Sequence, residues 1–264
     1  MEGTGIVVRG HIGAIVRGNT IHNINNGIYT GSSAALENPD VAFDVDVYNN
    51  NIHNIGDDGL EPEGPCVNHR FRNNKVDTSH SGVSIAPVTQ GPTWVIRCLF
   101  TNIILPNGTS IKWALNPTGH VLIYHNTSWT NASGLNAMSM ITPMQNSVMR
   151  NNIFQGNGFA FEASFTGAKN NDWNYDNWYT TRGASGPHFM WEDISYQTIA
   201  QLSAATGLER NGHENPPGFV NPSGGNFTLL PTSPNIDRGV LIPGINDNFN
   251  GSAPDIGAFE YGTG

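Results

Sequence analysis

The chain contains few charged residues and few cysteines. Of its 264 residues, 12 are Lys or Arg and 21 are Asp or Glu, which gives a formal charge of −9. Since nucleic-acid binding depends on cationic contacts, this balance argues against a nucleic-acid partner. The two cysteines, Cys66 and Cys98, are too few for a disulfide framework, and we expect both to be free.

Long apolar runs and long helical patterns are also missing. No run of about 18 apolar residues occurs, so the sequence predicts no membrane span. Helical periodicity is absent over residues 1–165. Charged residues make up only 12% of the chain, so its polar character comes from Asn, Thr and Ser. These features favour an all-β protein.

The chain does contain an asparagine that recurs in one slot of a repeated pattern. The slot holds Asn19, Asn50, Asn74, Cys98, Asn126 and Asn152, at spacings of 31, 24, 24, 28 and 26 residues. A period in the twenties with one polar residue in register indicates a solenoid, and here a parallel β-helix. Buried Asn side chains in such a ladder can hydrogen-bond to one another and to the backbone. Cys98, in the same slot, is expected to fill the core.

The repeated segments predict three short strands per coil, separated by turns of small residues. An antiparallel sandwich is the alternative, but a sandwich gives no reason for Asn to stay in register. We therefore predict a parallel β-helix of about seven coils over residues 1–183 and a C-terminal cap over residues 184–264. Residues 31–43 are interpreted as an insertion, and residues 191–206 have the best helical spacing.

Short motifs are distributed along nearly the whole chain: NGI, DDGLEPEG, SGVSIAP, GPTWVIR, VLIYHNT, SPNIDRG and DIGAFEY. In these motifs the chain resembles bacterial right-handed parallel β-helix repeat proteins of the pectate-lyase-like superfamily. The resemblance implies a right-handed β-helix and a secreted or cell-surface protein. That superfamily includes polysaccharide lyases, glycoside hydrolases, epimerases and non-enzymatic adhesins, so the fold does not select the activity.

One face of the predicted β-helix carries an unusual number of carboxylates. Aligning the strand after each turn gives an outward-facing row of Val7, Tyr29, Glu61, Ser84, Lys112, Asn136 and Ala160. Asp57, Asp58, Glu61 and Glu63 fall close together on this face. Carboxylates so close raise each other's pKa or require a cation. Because calcium takes several oxygen ligands, we predict a calcium site formed by Asp58, Glu61 and Glu63.

This constellation suggests β-elimination on a uronate-containing polysaccharide. Calcium would neutralise the sugar carboxylate, and Lys112 would remove the neighbouring proton if its pKa is lowered. Arg97 or His125, which precede the slot in consecutive coils, would assist. The predicted substrate contacts are Tyr29, Ser84, Asn136 and Arg9.

The Glu-x-Glu pair at 61 and 63, with a lysine and an arginine nearby, resembles the alginate and dermatan-type lyases of this fold. The chain departs from that pattern because Lys112 is predicted to lie two coils from the pair. The resemblance implies a lyase, and the position of Lys112 leaves its role as the base open.

Two other function classes fit the same face. In a hydrolase, a pair from Asp57, Asp58 and Glu61 would act as acid and base on a glycosidic bond, and the GDD string is similar to one in β-helix polygalacturonases. A non-catalytic glycan-binding trunk would instead use exposed aromatic rings. The candidate rings are Tyr29, Trp94, Trp129, Trp173, Tyr175, Trp178 and Tyr179. The last four form a cluster that core packing under the cap would explain equally.

Overall fold

The structure, a computed structural model, describes residues 3–32, 35–105 and 107–262. Strands of successive coils pair in parallel, and about seven coils stack into a β-solenoid. This arrangement confirms the predicted all-β solenoid and excludes the antiparallel sandwich. The right-handed sense remains a prediction from the resemblance.

Three sheets run along the solenoid, with strands numbered in chain order. Sheet 1 contains β1 (Thr4–Val7), β4 (Asn26–Tyr29), β7 (Asp58–Glu61), β10 (Ser81–Ile85), β13 (Thr109–Trp113), β16 (Met138–Met140), β19 (Phe161–Ala163), β22 (Phe189–Trp191) and the antiparallel β23 (Ile194–Tyr196). Sheet 2 contains β2 (Ile15–Arg17), β5 (Asp46–Tyr48), β8 (His69–Arg72), β11 (Thr93–Ile96), β14 (Val121–Tyr124), β17 (Ser147–Arg150) and β20 (Asp172–Asn174). Sheet 3 contains β3 (Thr20–Ile24), β6 (Asn51–Ile55), β9 (Lys75–Ser79), β12 (Leu99–Ile103), β15 (Thr127–Trp129), β18 (Ile153–Gly156) and β21 (Asn177–Thr180). The remaining elements are α1 (Ile199–Thr206), the hairpin of β24 (Phe219–Asn221) and β25 (Asn226–Leu229), and the 3₁₀ turns Gly183–Ser185 and Pro222–Gly224.

The predicted asparagine ladder lies at the bend between sheets 2 and 3. Each Nδ2 donates to the Oδ1 of the next slot residue at 2.9 Å in the pairs Asn19–Asn50, Asn50–Asn74 and Asn126–Asn152. Cys98 interrupts the series, since Asn74 Nδ2 lies 3.9 Å from its Sγ. The ladder extends one coil further than predicted, because Asn152 donates to Asp176 Oδ1 at 2.8 Å. These bonds satisfy buried polar groups in each coil, which explains why the slot keeps its residue type.

The inward-facing residues of sheet 1 confirm the predicted register as far as β13. Ile28, Leu60, Val83 and Ile111 pair across neighbouring strands and are fully buried. Beyond β13 the register differs, because Lys112 pairs with Ser139 and Ser139 pairs with Glu162. The outward positions predicted for Asn136 and Ala160 are therefore wrong. The cause is a longer connection before β16, where a turn closed by the 3.2 Å bond from Leu135 N–H to Ala132 O delays the strand.

The C-terminal region closes the end of the solenoid. β22 pairs in parallel with β19, so sheet 1 continues past residue 183. α1 follows the β22–β23 hairpin and occupies only the second half of the predicted 191–206 helix. Its buried residues Ile199 and Leu202 join the main core and cover the last apolar coil.

Residues 217–261, called the strap below, cover one side of the solenoid. They turn back from the last coil and lie along the outer face of sheet 3. Phe219, Phe227, Leu229 and Ile256 of the strap pack against Leu99, Trp129 and Ile153 of that sheet to form a second apolar cluster. This burial removes from water side chains that would otherwise face solvent, and so holds the strap in place.

Candidate functional site

Three carboxylates and one lysine meet on sheet 1. Asp58 and Glu61 belong to β7, Asp57 lies in the turn before it, and Lys112 belongs to β13. Lys112 Nζ lies 3.0 Å from Asp58 Oδ2 and 3.8 Å from Asp57 Oδ1. Ser84 of β10 pairs with Lys112 and separates it from β7. The lysine therefore reaches across one complete coil to neutralise Asp58.

A histidine that the sequence prediction missed completes this group. Nδ1 of His80 lies 3.6 Å from Asp57 Oδ1 and 3.1 Å from Ser81 Oγ. Its backbone N–H donates to Asp57 O at 3.1 Å, so His80 occupies the turn position of Asp57 in the next coil. The sequence contained a signal for this, because His80 and Asp57 each lie just before the start of a sheet 1 strand. We call Asp57, Asp58, Glu61, His80 and Lys112 the acidic corner.

Polar atoms in the acidic corner are buried without partners. Asp58 is 1% exposed and Glu61 9% exposed. Among the described residues, Asp58 Oδ1, Glu61 Oε2 and the adjacent Ser84 Oγ have no hydrogen-bond partner. Buried polar atoms are nearly always hydrogen-bonded to protein or water. Water or another polar molecule held inside the acidic corner would complete the hydrogen bonds of these three atoms.

The protonation of Glu61 differs from that of an ordinary carboxyl group. Burial, followed by the charges of neighbouring carboxylates, first that of Asp58, raises the pKa of Glu61 to about 8. The ammonium of Lys112 acts in the opposite direction but does not cancel these effects. Glu61 therefore keeps its proton near neutral pH, which suits a proton donor.

Lys112 stays protonated in this environment. Burial lowers the pKa of Lys112, but the carboxylates of Asp58 and Asp57 outweigh burial, and the resulting pKa is raised. A lysine acting as a base at neutral pH needs a lowered pKa. The structure does not provide that condition and gives Lys112 the geometry of a counter-ion to Asp58.

Asp57, Asp58 and His80 form a group that could hold a metal ion, since one ligand atom from each lies within 4.8 Å of the others. This set differs from the predicted calcium ligands, because it contains a histidine nitrogen and neither Glu61 nor Glu63. Calcium takes about six to eight oxygen ligands. In addition, the ammonium of Lys112 already lies against Asp58. The donor set therefore fits calcium poorly, and the hydrolysis proposed below involves no metal.

A second polar group lies beside Glu61 on the preceding coil. Tyr29 pairs with Glu61 across neighbouring strands, and its hydroxyl donates to Glu63 Oε2 at 3.2 Å. The guanidinium of Arg9 lies 5.3 Å from the centre of the Tyr29 ring. Burial, followed by the charge of Glu63, raises the pKa of Tyr29 to about 12, so its phenol stays neutral. Two predicted substrate contacts, Tyr29 and Arg9, are thus close to the acidic corner.

Arg97 and His125 do not belong to this site. Both lie at the bend between sheets 2 and 3, beneath the strap. His125 is fully buried and its Nε2 accepts from Asn246 Nδ2 at 2.7 Å, while Arg97 pairs with Glu260 at 3.4 Å. Burial lowers the pKa of His125 to about 3. The structure therefore separates both predicted residues from the acidic corner and shows their side chains bound to the strap.

The other predicted substrate-binding and aromatic residues lie apart from the acidic corner. Asn136 lies in the turn before β16, one coil beyond Lys112. Trp173 and Trp178 are in the core, and Trp129 lies under the strap with its ring centre 5.7 Å from that of Phe227. Trp94 lies on sheet 2. Tyr29 is thus the candidate ring that lies next to the acidic corner.

Comparison of the sequence with known protein families and with curated proteins finds no significant match. The resemblance to the pectate-lyase-like superfamily therefore stays a prediction beyond the level of the β-solenoid. Among the described residues, no helix has the length and apolar character needed to cross a membrane.

Proposed function

We propose that the protein is a carbohydrate-active enzyme that hydrolyses a glycosidic bond at the acidic corner. The observation that carries this proposal is that neighbouring carboxyl groups have different surroundings, Glu61 being buried and Asp57 and Asp58 lying against Lys112. Glu61 retains its proton because its pKa is raised to about 8, whereas the side-chain oxygens of Asp58 and Asp57 lie 3.0 and 3.8 Å from the ammonium of Lys112. Two carboxyl groups whose environments separate their protonation states are the usual means of acid–base glycoside cleavage.

The roles follow from exposure and contacts. Glu61 donates its proton to the oxygen of the leaving sugar, so the glycosidic bond breaks without release of an alkoxide. The side chain of Asp57 is 39% exposed, so this carboxylate can reach a water molecule and accept its proton as the water attacks. Asp58 and Lys112 act as positioning residues, and His80 orients Asp57. Tyr29 offers a neutral ring and hydroxyl to a sugar unit on the preceding coil.

The test is Glu61→Gln, which keeps the size of the side chain but cannot donate a proton. We expect hydrolysis of a susceptible glycan to fall by roughly 10²–10⁴-fold, with the fold retained. In the wild-type protein the rate should decline as pH rises above about 8, since Glu61 then loses its proton. Release of reducing ends across a pH series measures both effects. Asp193→Asn, which removes an exposed carboxylate outside the acidic corner, is the control and should leave the rate unchanged.

β-Elimination on a uronate polysaccharide is the second candidate. It is favoured by one observation: protonated Glu61 and the ammonium of Lys112 lie where they could neutralise a sugar carboxylate. The calcium of the sequence prediction belongs to this candidate. Against it, the surrounding carboxylates would repel an anionic chain.

The two reactions leave different products. An unsaturated, ultraviolet-absorbing product would assign elimination, and its loss on adding a chelator would assign a metal to that reaction. Reducing ends without this absorbance would assign hydrolysis. Folded protein that binds glycans but yields neither product would overturn both candidates in favour of a glycan-binding trunk.

A further inference from the structure

Two adjoining cavities lie further along sheet 1. Their volumes are about 580 and 230 Å³. They share a wall formed by Asn107, Gly134, Asn136 and Glu162. The larger cavity continues to Phe159 and Arg182. The larger volume falls within the range of about 300–1,000 Å³ that is usual for ligand pockets, and the smaller cavity extends it.

The cavities continue the line of the acidic corner. Thr109 N–H donates to His80 O at 3.0 Å, so Gly108 follows His80 in the stack of turns that precede sheet 1. The smaller cavity begins at Asn107 and Gly108, about 4.8 Å further along the axis. On the strands themselves, Lys112 is followed by Ser139 and Glu162 in neighbouring positions. A linear molecule bound at the acidic corner and parallel to the solenoid axis would pass into these cavities.

The polar groups that line the cavities are already held in place. Asn136 Nδ2 donates to Glu162 Oε2 at 2.7 Å and to Ser139 Oγ at 3.0 Å, and its Oδ1 accepts from the Phe159 backbone N–H at 2.6 Å. The guanidinium of Arg182 lies 4.8 Å from the centre of the Phe159 ring and donates to a backbone carbonyl at 2.8 Å. Groups fixed before binding lose little conformational entropy when a ligand arrives.

The lining also indicates the class of ligand. It combines one carboxylate and one guanidinium with amides and hydroxyls from Asn107, Ser133, Asn157 and Ser185. Donors and acceptors are thus both present, and the formal charges of Glu162 and Arg182 cancel. This chemistry suits the many hydroxyl groups of an uncharged sugar, and the carboxylates of the acidic corner, through which the same chain would pass, disfavour a uronate.

We propose that these cavities bind further units of a neutral glycan chain whose reacting bond lies at the acidic corner. The inference rests on the proposed function for the position of that bond. It adds that the glycan lies along the solenoid axis, from Tyr29 past Glu61 and Lys112 towards Arg182. Affinity should therefore increase with chain length until the cavities are filled.

The test compares short and long neutral oligosaccharides in binding and in cleavage. Binding is measured by calorimetry on the Glu61→Gln protein, alone and combined with Arg182→Ala. We expect Arg182→Ala to weaken binding of long oligosaccharides by about 10-fold or more, as for a central contact residue, and to leave the shortest bound ligands unchanged. In the protein with Glu61 intact, Arg182→Ala should raise KM for long substrates while preserving kcat on short ones.

Arg72→Ala is the matched control, because Arg72 also stacks on an aromatic ring, 4.3 Å from the centre of Tyr48, but on sheet 2. It should change none of these values. If Arg182→Ala proves unstable, Glu162→Gln replaces it in the test. This variant keeps an acceptor for Asn136, and it should weaken binding of long chains. Equal losses for short and long oligosaccharides, or no loss for either, would overturn the proposal. Full activity of Glu61→Gln together with the Arg182→Ala binding defect would refute Glu61 as the acid of the proposed hydrolysis and leave the glycan site in place.

Discussion

At the scale of single residues, Cys98 is the weak position of the asparagine ladder. Elsewhere an amide side chain donates to the next slot residue and to a backbone carbonyl, as Asn126 does to Val95 O at 2.9 Å. The thiol of Cys98 makes only long contacts, 3.6 Å to Phe71 O and 3.9 Å to Asn74 Nδ2. The Asn74 amide donates to Val47 O at 2.9 Å but lacks the side-chain oxygen of a next slot residue.

We expect Cys98→Asn to stabilise the protein. The new side chain would accept from Asn74 and donate to Phe71 O, and each neutral hydrogen bond contributes about 0.5–1.5 kcal/mol. An increase of about 1–2 kcal/mol in the free energy of unfolding, measured by urea titration, would agree with this estimate. Cys98→Ala serves as the control and should destabilise. A loss of stability in Cys98→Asn as large as that in Cys98→Ala would contradict the prediction. It would show that the volume of the side chain at position 98, rather than its hydrogen bonds, determines stability there.

At the scale of elements, the strap is held by apolar contacts and by a few polar bonds to sheet 3. Phe227 is 3% exposed and packs edge-on against Trp129 and against Phe219, with ring centres 5.7 and 5.3 Å apart. His125 accepts from Asn246 within the same interface. Removing the aromatic contact should therefore release the strap before it disturbs sheet 1.

We predict that Phe227→Ala exposes the strap to protease while the solenoid stays folded. Loss of a buried phenylalanine side chain lowers stability by about 3–5 kcal/mol. We expect this loss to exceed the free energy that holds one segment on the solenoid. Limited proteolysis with mass spectrometry should locate new cleavage sites within residues 217–261. Phe165→Ala is the control, because Phe165 is 47% exposed and makes no part of this cluster. Identical digestion of the two variants would contradict the assignment.

The sequence predicted the elements that repeat and missed those that do not. The ladder recurs along the solenoid, and the inward-facing residues of sheet 1 keep the predicted register as far as β13, so their spacing revealed the fold and placed Ser84 between Glu61 and Lys112. The strap contacts join residues such as His125 and Gly257, 132 positions apart, and have no repeated pattern. The protonation of Lys112 was also not predictable, because it depends on Asp58 reaching it across an intervening coil.

In the molecule as a unit, the strap makes the local stability of the solenoid differ along its length. Coils in a solenoid contact only their neighbours, so a separate segment that spans several coils links their stabilities. The strap covers β12, β15 and β18, whereas on β3 the His22 side chain is exposed. The first coils therefore depend on neighbouring coils alone.

Hydrogen exchange should reveal this difference. We expect backbone amides of β12, β15 and β18 to exchange more slowly than those of β3 and β6, since opening the covered coils also requires the strap to leave. Peptide-level exchange with mass spectrometry measures the contrast. Phe227→Ala should reduce it, and equal protection of both groups in the wild-type protein would argue against a coupling role for the strap.

The last rung of the asparagine ladder has a consequence for the length of the molecule. Every carboxamide donates in the same direction, so the row of side chains has a sense, and its final member needs only to accept. Asp176 meets that need, because it takes bonds from the Nδ2 and the backbone N–H of Asn152 at 2.8 and 2.7 Å. Burial and the adjacent Glu209 raise the pKa of Asp176, which limits the cost of placing an acid there. The row of amides thus ends at a pair of acids, since the backbone N–H of Asp176 donates to Glu209 Oε2 at 3.3 Å. A longer solenoid of this kind would need an amide at position 176 to carry the row into another coil.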